Sequence, residues 1–286
     1  MISIIIPVYN EKSVVIKTID DIKNILQDFE SKYELIVVND GSSDGTGEVL
    51  EKRNDFTLIS RKENRGYGYS LKEGIKNANG EKILIIDADG SYPIESIPTL
   101  IKESESYEMV IGERTGEKVS ISIFNKTAKL ILRILIFLLT SKWIKDINSG
   151  LRIFNKEIAL KNWGIIPDGF SFTTTITVVT LIQNIKIRFI PINYYKRIGL
   201  SKIKPIRDFI GFIILVIRVT SFFNPLRFFI PISFLFFILT ILRVTRDILM
   251  FNSIETLSVL LFIISLQTFF FGLIADIIVN KFDSRG

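Results

Sequence analysis

The sequence predicts an α/β domain built on a mostly parallel β-sheet, followed by a C-terminal transmembrane helical hairpin. Over residues 1–120, short and continuously apolar runs alternate with stretches of helical periodicity, which is typical of a parallel sheet covered by helices on both faces. Polar clusters follow several of these runs, and in such sheets ligands bind beyond the carboxyl ends of the strands. From about residue 209 onward, long stretches carry no charge, which is typical of membrane-spanning helices.

Each strand of the predicted domain is indicated by a short apolar run. These runs lie at residues 2–8, 34–39, 56–60, 82–87 and 108–112. Between them, helical spacing of apolar residues and turn-rich boundaries predict helices at residues 13–29, 46–53, 68–78 and 94–104.

The second half contains four apolar segments of two kinds. Residues 121–140 and 206–223 mix aliphatic side chains with Lys and Arg, so each is either a core helix or a helix lying at the membrane interface. Two further segments, at about 226–244 and 255–278, are apolar enough to span a bilayer and are joined by a short linker. We therefore expect a globular domain over residues 1–205, a juxtamembrane helix over 206–223 and a two-helix hairpin over 224–286.

The amino-acid composition limits the possible catalytic chemistry and indicates the protein's cellular surroundings. The net charge is +6, and much of the basic excess lies beside apolar segments, which favours a membrane surface over nucleic acid. The chain has no cysteine, which excludes disulfides and thiolate metal sites, and no histidine, which excludes imidazole as a base or ligand. The N-terminal sequence MISIIIPVYNE lacks the features of a signal peptide, so we expect the globular domain in the cytoplasm.

Two carboxylates one residue apart, Asp87 and Asp89, follow the fourth predicted strand. Carboxylates on one tight turn offer hard oxygen ligands to Mg²⁺ or Mn²⁺, and a diphosphate can complete the coordination shell. Taken alone the pattern is weak, because Asp is common in turns. The polar groups 9–11 and 39–42 close the first two strands, however, so all three clusters are expected at one edge of the sheet.

Several motifs occur in a fixed order along residues 2–205. They are PVYNE at 7–11, VNDGS at 38–42, NRGYG at 64–68, DADGSYP at 87–93, GER at 112–114, DINSGLR at 146–152 and YKRIGLSK at 195–202. Together they resemble the inverting family 2 glycosyltransferases with a GT-A fold, and more narrowly the dolichyl- and polyprenyl-phosphate hexosyltransferases. The hairpin is similar to that of the bacterial polyprenyl-phosphate members, whose catalytic domain docks on the membrane ahead of C-terminal spans.

The resemblance implies transfer of a hexose from a GDP- or UDP-linked donor to a polyprenyl phosphate, with inversion, on a multi-pass protein of the cytoplasmic membrane. It implies donor contacts from Pro7, Tyr9, Glu11, Asp40, Gly66, Asp87 and Asp89. It implies that the metal, Mg²⁺ or Mn²⁺, is held by Asp87, Asp89 and Ser91. It implies acceptor-phosphate contacts from Arg114, Ser149, Arg152, Arg197, Ser201 and Lys202, with Asp89, Arg114 and Arg152 closest to catalysis.

Some positions depart from the family pattern. Asn39 replaces the first of two acids in the second motif, Ser91 stands where mannose synthases often carry Gln, and residues 169–177 have no acid where many relatives carry Glu. A catalytically impaired membrane subunit or scaffold, or a transferase acting on another lipid or polysaccharide, therefore stays open. A processive synthase is disfavoured, because neither Trp143 nor Trp163 lies in a Q-x-x-R-W element. The sequence leaves open the sugar, the base, the prenyl length and whether a homo-oligomer forms.

A dehydrogenase is excluded by the first strand, because PVYNE follows it in place of a glycine-rich dinucleotide motif.

Overall fold

The computed structural model contains a seven-stranded sheet and a separate pair of long C-terminal helices. It describes residues 1–27, 29, 32–115, 130, 133, 134, 136, 137, 140, 142–144, 146–169, 171–195, 214, 217–219 and 221–283. The predicted helix at 121–140 and the juxtamembrane helix at 206–223 lie mostly outside these residues, and so do Arg197, Ser201 and Lys202.

The sheet is mostly parallel. Its strands are β1 Ile2–Val8, β2 Tyr33–Asp40, β3 Thr57–Arg61, β4 Lys82–Ile85, β5 Met109–Arg114, β6 Arg152–Asn155 and β7 Ile187–Ile192, in the spatial order β3-β2-β1-β4-β6-β5-β7. Only β6 runs antiparallel to its neighbours, β4 and β5. The predicted strands are all present, whereas β6 and β7 were not predicted.

Helices cover both faces of the sheet. They are α1 Val15–Leu26, α2 Thr46–Glu51, α3 Tyr67–Asn77, α4 Ile97–Glu103 with a 3₁₀ turn at Ile94–Ser96 before it, α5 Lys156–Lys161 and α6 Phe172–Ile182. Helices α1, α2 and α4 bury their apolar faces in one core, and α3, α5 and α6 do so in a second core on the opposite face. Because apolar layers lie on both sides, the strands are continuously apolar.

Strand register brings the polar loops together. β1 pairs in parallel with β2, so that Val8 lies opposite Asn39, and with β4, so that Ile5 lies opposite Ile85. The segments that follow β1, β2 and β4 therefore leave the sheet at the same edge. These segments carry the polar clusters that the sequence placed at strand ends.

The C-terminal helices, α7 Pro225–Phe251 and α8 Thr256–Asp283, form an antiparallel hairpin. Both are long and apolar enough to cross a membrane, and most of their large side chains are exposed. The two helices are joined by reciprocal hydrogen bonds, in which each hydroxyl of Ser233 and Ser265 donates to the other residue's carbonyl at 2.9 Å. Gly272 packs so closely on Phe229 that a Cβ there would lie 2.7 Å from the Phe229 Cβ.

The first hairpin helix extends beyond the span predicted at 226–244. Arg243 donates to Glu255 at 2.7 Å, while the buried Asp247 accepts hydrogen bonds from the Ser258 hydroxyl and the Glu255 amide. These contacts hold α7 against the start of α8, so the helix continues through charged sequence to Phe251. The connecting turn is correspondingly short.

The hairpin can be tested by replacing Ser233 and Ser265 with cysteines, because the chain has no native cysteine that could pair with them. The Ser233 and Ser265 hydroxyl oxygens lie 3.5 Å apart. We expect a Ser233→Cys/Ser265→Cys variant in native membranes to form a disulfide within one chain, read by mass spectrometry of alkylated peptides. Ser233→Cys/Thr268→Cys is the control, since the Thr268 hydroxyl bonds within its own helix, to the Ile264 carbonyl at 2.7 Å. A cross-link that forms only between chains would contradict the hairpin.

Candidate functional site

A cleft of about 310 Å³ opens at the edge where β1, β2 and β4 end. It contains every residue that the sequence assigned to the donor side. The lining residues are Pro7, Val8, Tyr9, Glu11, Asp40, Asn64, Gly66, Tyr67, Ser70, Asp87, Ala88 and Asp89. A larger groove between α1 and the loop after β4 is not lined by any of the strand-end carboxylates Asp40, Asp87 and Asp89.

The loops after β1 and β2 are locked to each other on one side of the cleft. The Asn10 amide donates to the Ser42 hydroxyl at 3.0 Å, and the Ser43 amide donates back to the Asn10 side-chain oxygen at 2.8 Å. The Glu11 amide donates to the Thr46 hydroxyl at 3.1 Å. Asn10 adopts a left-handed backbone with φ of 56°, a conformation that Asn tolerates better than most residues. These bonds hold Tyr9 and Glu11 in place at the cleft wall.

Asp40 has a structural role that the sequence did not predict. It is buried, and its carboxylate accepts hydrogen bonds from the Arg65 amide at 3.0 and 3.2 Å and from the Gly66 amide at 2.7 Å. Both amides lie just before α3, where backbone N–H groups lack helical partners. Asp40 therefore shapes the NRGYG loop and presents its charge at the base of the cleft.

Both carboxylate oxygens of Asp87 have a close neighbour. The Tyr67 hydroxyl donates to Oδ1 at 2.8 Å, and Gly150 approaches Oδ2 so closely that a Cβ on it would lie 2.6 Å from that oxygen. Burial, reinforced by the Asp87 charge, raises the pKa of Tyr67 well above its usual value. The phenol therefore stays protonated at neutral pH and acts as the donor in this bond.

Asp89 is bound by the turn that follows it. Its Oδ1 accepts hydrogen bonds from the Ser91 amide at 3.0 Å and from the Ser91 hydroxyl at 2.5 Å. Asp89 lines the cleft, whereas Ser91 is fully buried behind it and is not among the lining residues. Ser91 was predicted as a metal ligand; in this structure its hydroxyl bonds to Asp89 and so helps to orient that carboxylate.

The carboxylates of Asp87 and Asp89 are suited to hold a divalent cation that also coordinates a bound ligand. Asp87 and Asp89 line the same cleft and offer the hard oxygen atoms that Mg²⁺ and Mn²⁺ prefer. Within the described part of the chain, no group of three or more acidic, His or Cys side chains could hold an ion on its own. A cation here would therefore take the rest of its coordination shell from a bound diphosphate and water.

Arg114 forms a two-point ion pair with Asp146. Its Nε and Nη2 donate to the two carboxylate oxygens at 2.6 and 2.7 Å, and its guanidinium lies 5.1 Å from the Tyr194 ring centre. Burial alone would raise the pKa of Asp146, but the hydrogen bonds and charge of Arg114 outweigh it and lower that pKa. The pair joins the GER motif to the DINSGLR motif, with Arg114 about one quarter exposed.

Arg152, predicted to contact the acceptor phosphate, lies in the protein interior in this structure. Its side chain is fully buried, and its guanidinium donates to the carbonyls of Ser149, Thr173 and Ile147 and to the Thr177 hydroxyl. Burial lowers the pKa of Arg152 to about 10. In this arrangement the guanidinium donors are all used within the protein, so the structure supports a packing role for Arg152.

The other predicted acceptor residues are placed only in part. Ser149 is fully buried, and its hydroxyl has no hydrogen-bond partner among the described residues. Arg197, Ser201 and Lys202 fall outside those residues. Tyr195, the first residue of their motif, donates from its amide to the Ser91 carbonyl at 2.9 Å, which ties the start of that motif to the turn carrying Asp89.

Two residues that matter to this geometry were missed as individual site residues. Tyr67 and Gly150 both lie inside the sequence motifs NRGYG and DINSGLR, but neither was assigned a role from the sequence. Their membership of these motifs was the only indication of a role, because the spacing does not show that both approach the same carboxylate. That approach depends on β6 lying beside β4, a pairing that was not predicted.

Two protein-family models match separate parts of the chain. Residues 3–163 match the family model described as Glycosyl transferase family 2. Residues 224–280 match the model described as GtrB C-terminal hairpin. The first match contains the cleft and the Arg114–Asp146 pair, and the second contains most of α7 and α8.

Curated relatives align with about half of the chain. An undecaprenyl-phosphate 4-deoxy-4-formamido-L-arabinose transferase of Photorhabdus laumondii is 32% identical over 162 residues, covering 55% of this chain and 50% of the relative. A dolichyl-phosphate beta-glucosyltransferase ALG5A of Trichomonas vaginalis is 32% identical over 173 residues, covering 54% of this chain and 53% of the relative. The chain thus spans about half the length of these relatives.

Solved structures share the fold. Glucosyl-3-phosphoglycerate synthase from Mycobacterium tuberculosis, in complex with Mn²⁺, UDP and phosphoglyceric acid, aligns with a TM-score of 0.59 at 18% identity, covering 77% of this chain and 78% of that one. S. aureus TarS 1-349 aligns with a TM-score of 0.52 at 19% identity, covering 77% and 64%. At these identities the likeness establishes the GT-A-like architecture alone.

Proposed function

The chain belongs to glycosyl transferase family 2, and from that membership we propose that it transfers a hexose from a nucleotide-diphospho-sugar to a polyprenyl phosphate, with inversion at the anomeric carbon. The observation that carries the proposal is the cleft, which is lined by all seven residues assigned to the donor, Asp87 and Asp89 among them. The names of the two curated relatives specify a polyprenyl-phosphate acceptor, which supports the same choice here.

The donor nucleotide lies across the carboxyl edge of the sheet in this proposal. Pro7 and Tyr9 form an apolar and aromatic wall for the base, and Glu11 accepts hydrogen bonds from the base or the ribose. Asp40 adds negative charge at the base of the cleft while holding the Arg65 and Gly66 amides. The interlocked loops after β1 and β2 keep this wall rigid before the donor arrives, which reduces the entropy lost on binding.

Asp87 and Asp89 would hold Mg²⁺ or Mn²⁺ together with the donor diphosphate. When bound, the cation neutralises charge on the departing nucleoside diphosphate. The chain's own contribution is to fix the two carboxylates, through Tyr67 and Gly150 for Asp87 and through Ser91 for Asp89. The Mn²⁺ and UDP in the structure of the M. tuberculosis synthase support this choice of ligands by analogy of fold.

A phosphate acceptor suits a chain that contains no histidine. A hydroxyl acceptor usually needs a general base, whereas a phosphate monoester has a second pKa of about 6 and is already ionised at neutral pH. Its oxygen attacks the anomeric carbon, and the bond to the nucleoside diphosphate breaks. The protein must therefore supply cations that position the phosphate, and Arg114, Arg197 and Lys202 take that role, with Ser149 and Ser201 as hydroxyl donors.

The hairpin gives the enzyme access to its lipid acceptor. Helices α7 and α8 cross the membrane in this proposal, with the globular domain over residues 1–205 on the cytoplasmic side. Both ends of a two-helix hairpin lie on one side, so the catalytic cleft and the end of α8 face the same compartment. The acceptor's headgroup then meets the cleft at the membrane surface, which replaces a three-dimensional search with a local one.

A panel assay tests the function. The full chain, purified in detergent, is incubated with Mg²⁺ or Mn²⁺, undecaprenyl phosphate and a series of radiolabelled GDP- and UDP-sugars. We expect one donor to yield a lipid-phosphate-sugar, detected by thin-layer chromatography and mass spectrometry. If no donor in the series yields such a product, the enzymatic proposal is wrong and the impaired-subunit alternative gains support.

A further inference from the structure

The Asp87 carboxylate is confined between two elements that are far apart in sequence. One is Tyr67 at the start of α3, whose hydroxyl donates to Oδ1 at 2.8 Å. The other is Gly150, in the loop that leads into β6. Neither residue carries a charge, and Gly150 has no side chain, so we do not expect either to bind the cation directly.

The contact with Gly150 leaves no room for a side chain. A Cβ built on Gly150 would lie 2.6 Å from Oδ2 and 3.0 Å from Cγ of Asp87. The three nearest atoms all belong to the Asp87 carboxylate. A methyl group at this position would therefore press first against that carboxylate.

Gly150 is itself fixed by buried hydrogen bonds. Its amide donates to the Tyr92 hydroxyl at 2.5 Å, and the carbonyl of the preceding Ser149 accepts from Arg152 Nε at 3.0 Å. Tyr92 and Arg152 are both buried. The loop therefore cannot retreat easily from Asp87, and the carboxylate is held from this side by a rigid surface.

We propose that Tyr67 and Gly150 are positioning residues that fix the Asp87 carboxylate from two sides and thereby set the affinity of the cleft for a metal-bound nucleoside diphosphate. The inference rests on the proposed function, because it requires a nucleotide and a cation at Asp87. It extends that function by assigning the DINSGLR motif to the donor site through Gly150. Groups that orient a metal ligand commonly change metal affinity by 10–100-fold when they are altered.

Two substitutions remove the two contacts separately. Tyr67→Phe deletes the hydrogen bond and keeps the ring, and Gly150→Ala places a methyl group against Oδ2. The readout is calorimetric binding of UDP and of GDP by the full chain in detergent, with and without Mn²⁺, which does not depend on catalysis. We expect each variant to weaken Mn²⁺-dependent nucleotide binding by about tenfold or more and to leave metal-free binding unchanged.

Matched controls make the same chemical changes away from Asp87. Tyr69→Phe removes a phenol on the same helix, one that accepts from Arg65 and does not line the cleft. Gly164→Ala adds a methyl group where nothing lies within 4 Å. Both controls should bind Mn²⁺ and nucleotide as the wild type does.

The possible results distinguish failure of the positioning role from failure of the proposed function. Wild-type affinity in both Tyr67→Phe and Gly150→Ala would overturn the positioning role while leaving the donor site intact. A wild-type chain that shows no Mn²⁺-dependent binding of either nucleotide would overturn the donor site and the inference with it. If Gly150→Ala lowers the melting temperature, Tyr67→Phe decides the question, since it retains the ring.

Discussion

Replacing Asp89 with Asn is expected to reduce sugar transfer by on the order of 10³-fold, because the cleft loses one of the two charges that hold the cation and diphosphate. The fold should survive. Asn has nearly the same shape as Asp, and its side-chain oxygen can still accept from the Ser91 amide and hydroxyl. The measurement is the initial rate of lipid-phosphate-sugar formation at saturating Mn²⁺, together with the melting temperature.

Asp20→Asn is the matched control for that variant. Asp20 lies on α1, is about half exposed, pairs with Arg53 at 2.6 Å and is not among the residues that line the cleft. Its loss should leave transfer unchanged. An Asp89→Asn enzyme that retains most of its activity would remove the argument for a metal-bound diphosphate at this site.

Replacing Arg152 with Met is expected to destabilise the globular domain by about 1–3 kcal/mol. The substitution leaves the buried Ser149 carbonyl without its guanidinium donors, whereas the Thr177 hydroxyl still donates to the Thr173 carbonyl at 2.8 Å. Domains of ordinary stability have only about 5–15 kcal/mol in total. The measurement is urea unfolding of the full chain in detergent, followed by the fluorescence of Trp163, which packs against the core beside α3 and α6.

Arg188→Met provides the comparison for Arg152. Arg188 lies on β7 with its side chain about half exposed, so the same loss of charge should change the unfolding midpoint little. The alternative expectation for Arg152 was a contact with the acceptor phosphate. Unchanged stability with a raised KM for polyprenyl phosphate alone would restore that reading and contradict the buried role described here.

Much of the architecture followed from local sequence. The runs 2–8, 34–39 and 82–87 are continuously apolar and end in polar turns, so both the strands and the shared edge of the sheet could be predicted. Strand β6 could not. It has four residues, runs antiparallel and is defined by its pairing with β4 and β5, which no local periodicity encodes.

The candidate site, like the fold, could be predicted only in part from the sequence. Residue type and motif order predicted that Asp87 and Asp89 lie at the same edge of the sheet as the other polar loops, and both line the cleft there. These sequence features could not distinguish an arginine that binds phosphate from one that binds backbone carbonyls, since both need the same guanidinium. Arg152 belongs to the second kind because β6 and α6 enclose it. Asp40 likewise takes a loop-shaping role that depends on where residues 64–66 pass.

The central claim is that the acceptor nucleophile is a lipid phosphate that needs no protein base. It is tested most directly by offering the enzyme equal amounts of undecaprenyl phosphate and undecaprenol with the productive nucleotide sugar, and by analysing the products by mass spectrometry and NMR. We predict transfer to the phosphate alone, giving a phosphodiester-linked sugar whose anomeric configuration is inverted relative to the donor. Equal transfer to undecaprenol, or retention of configuration, would contradict the account.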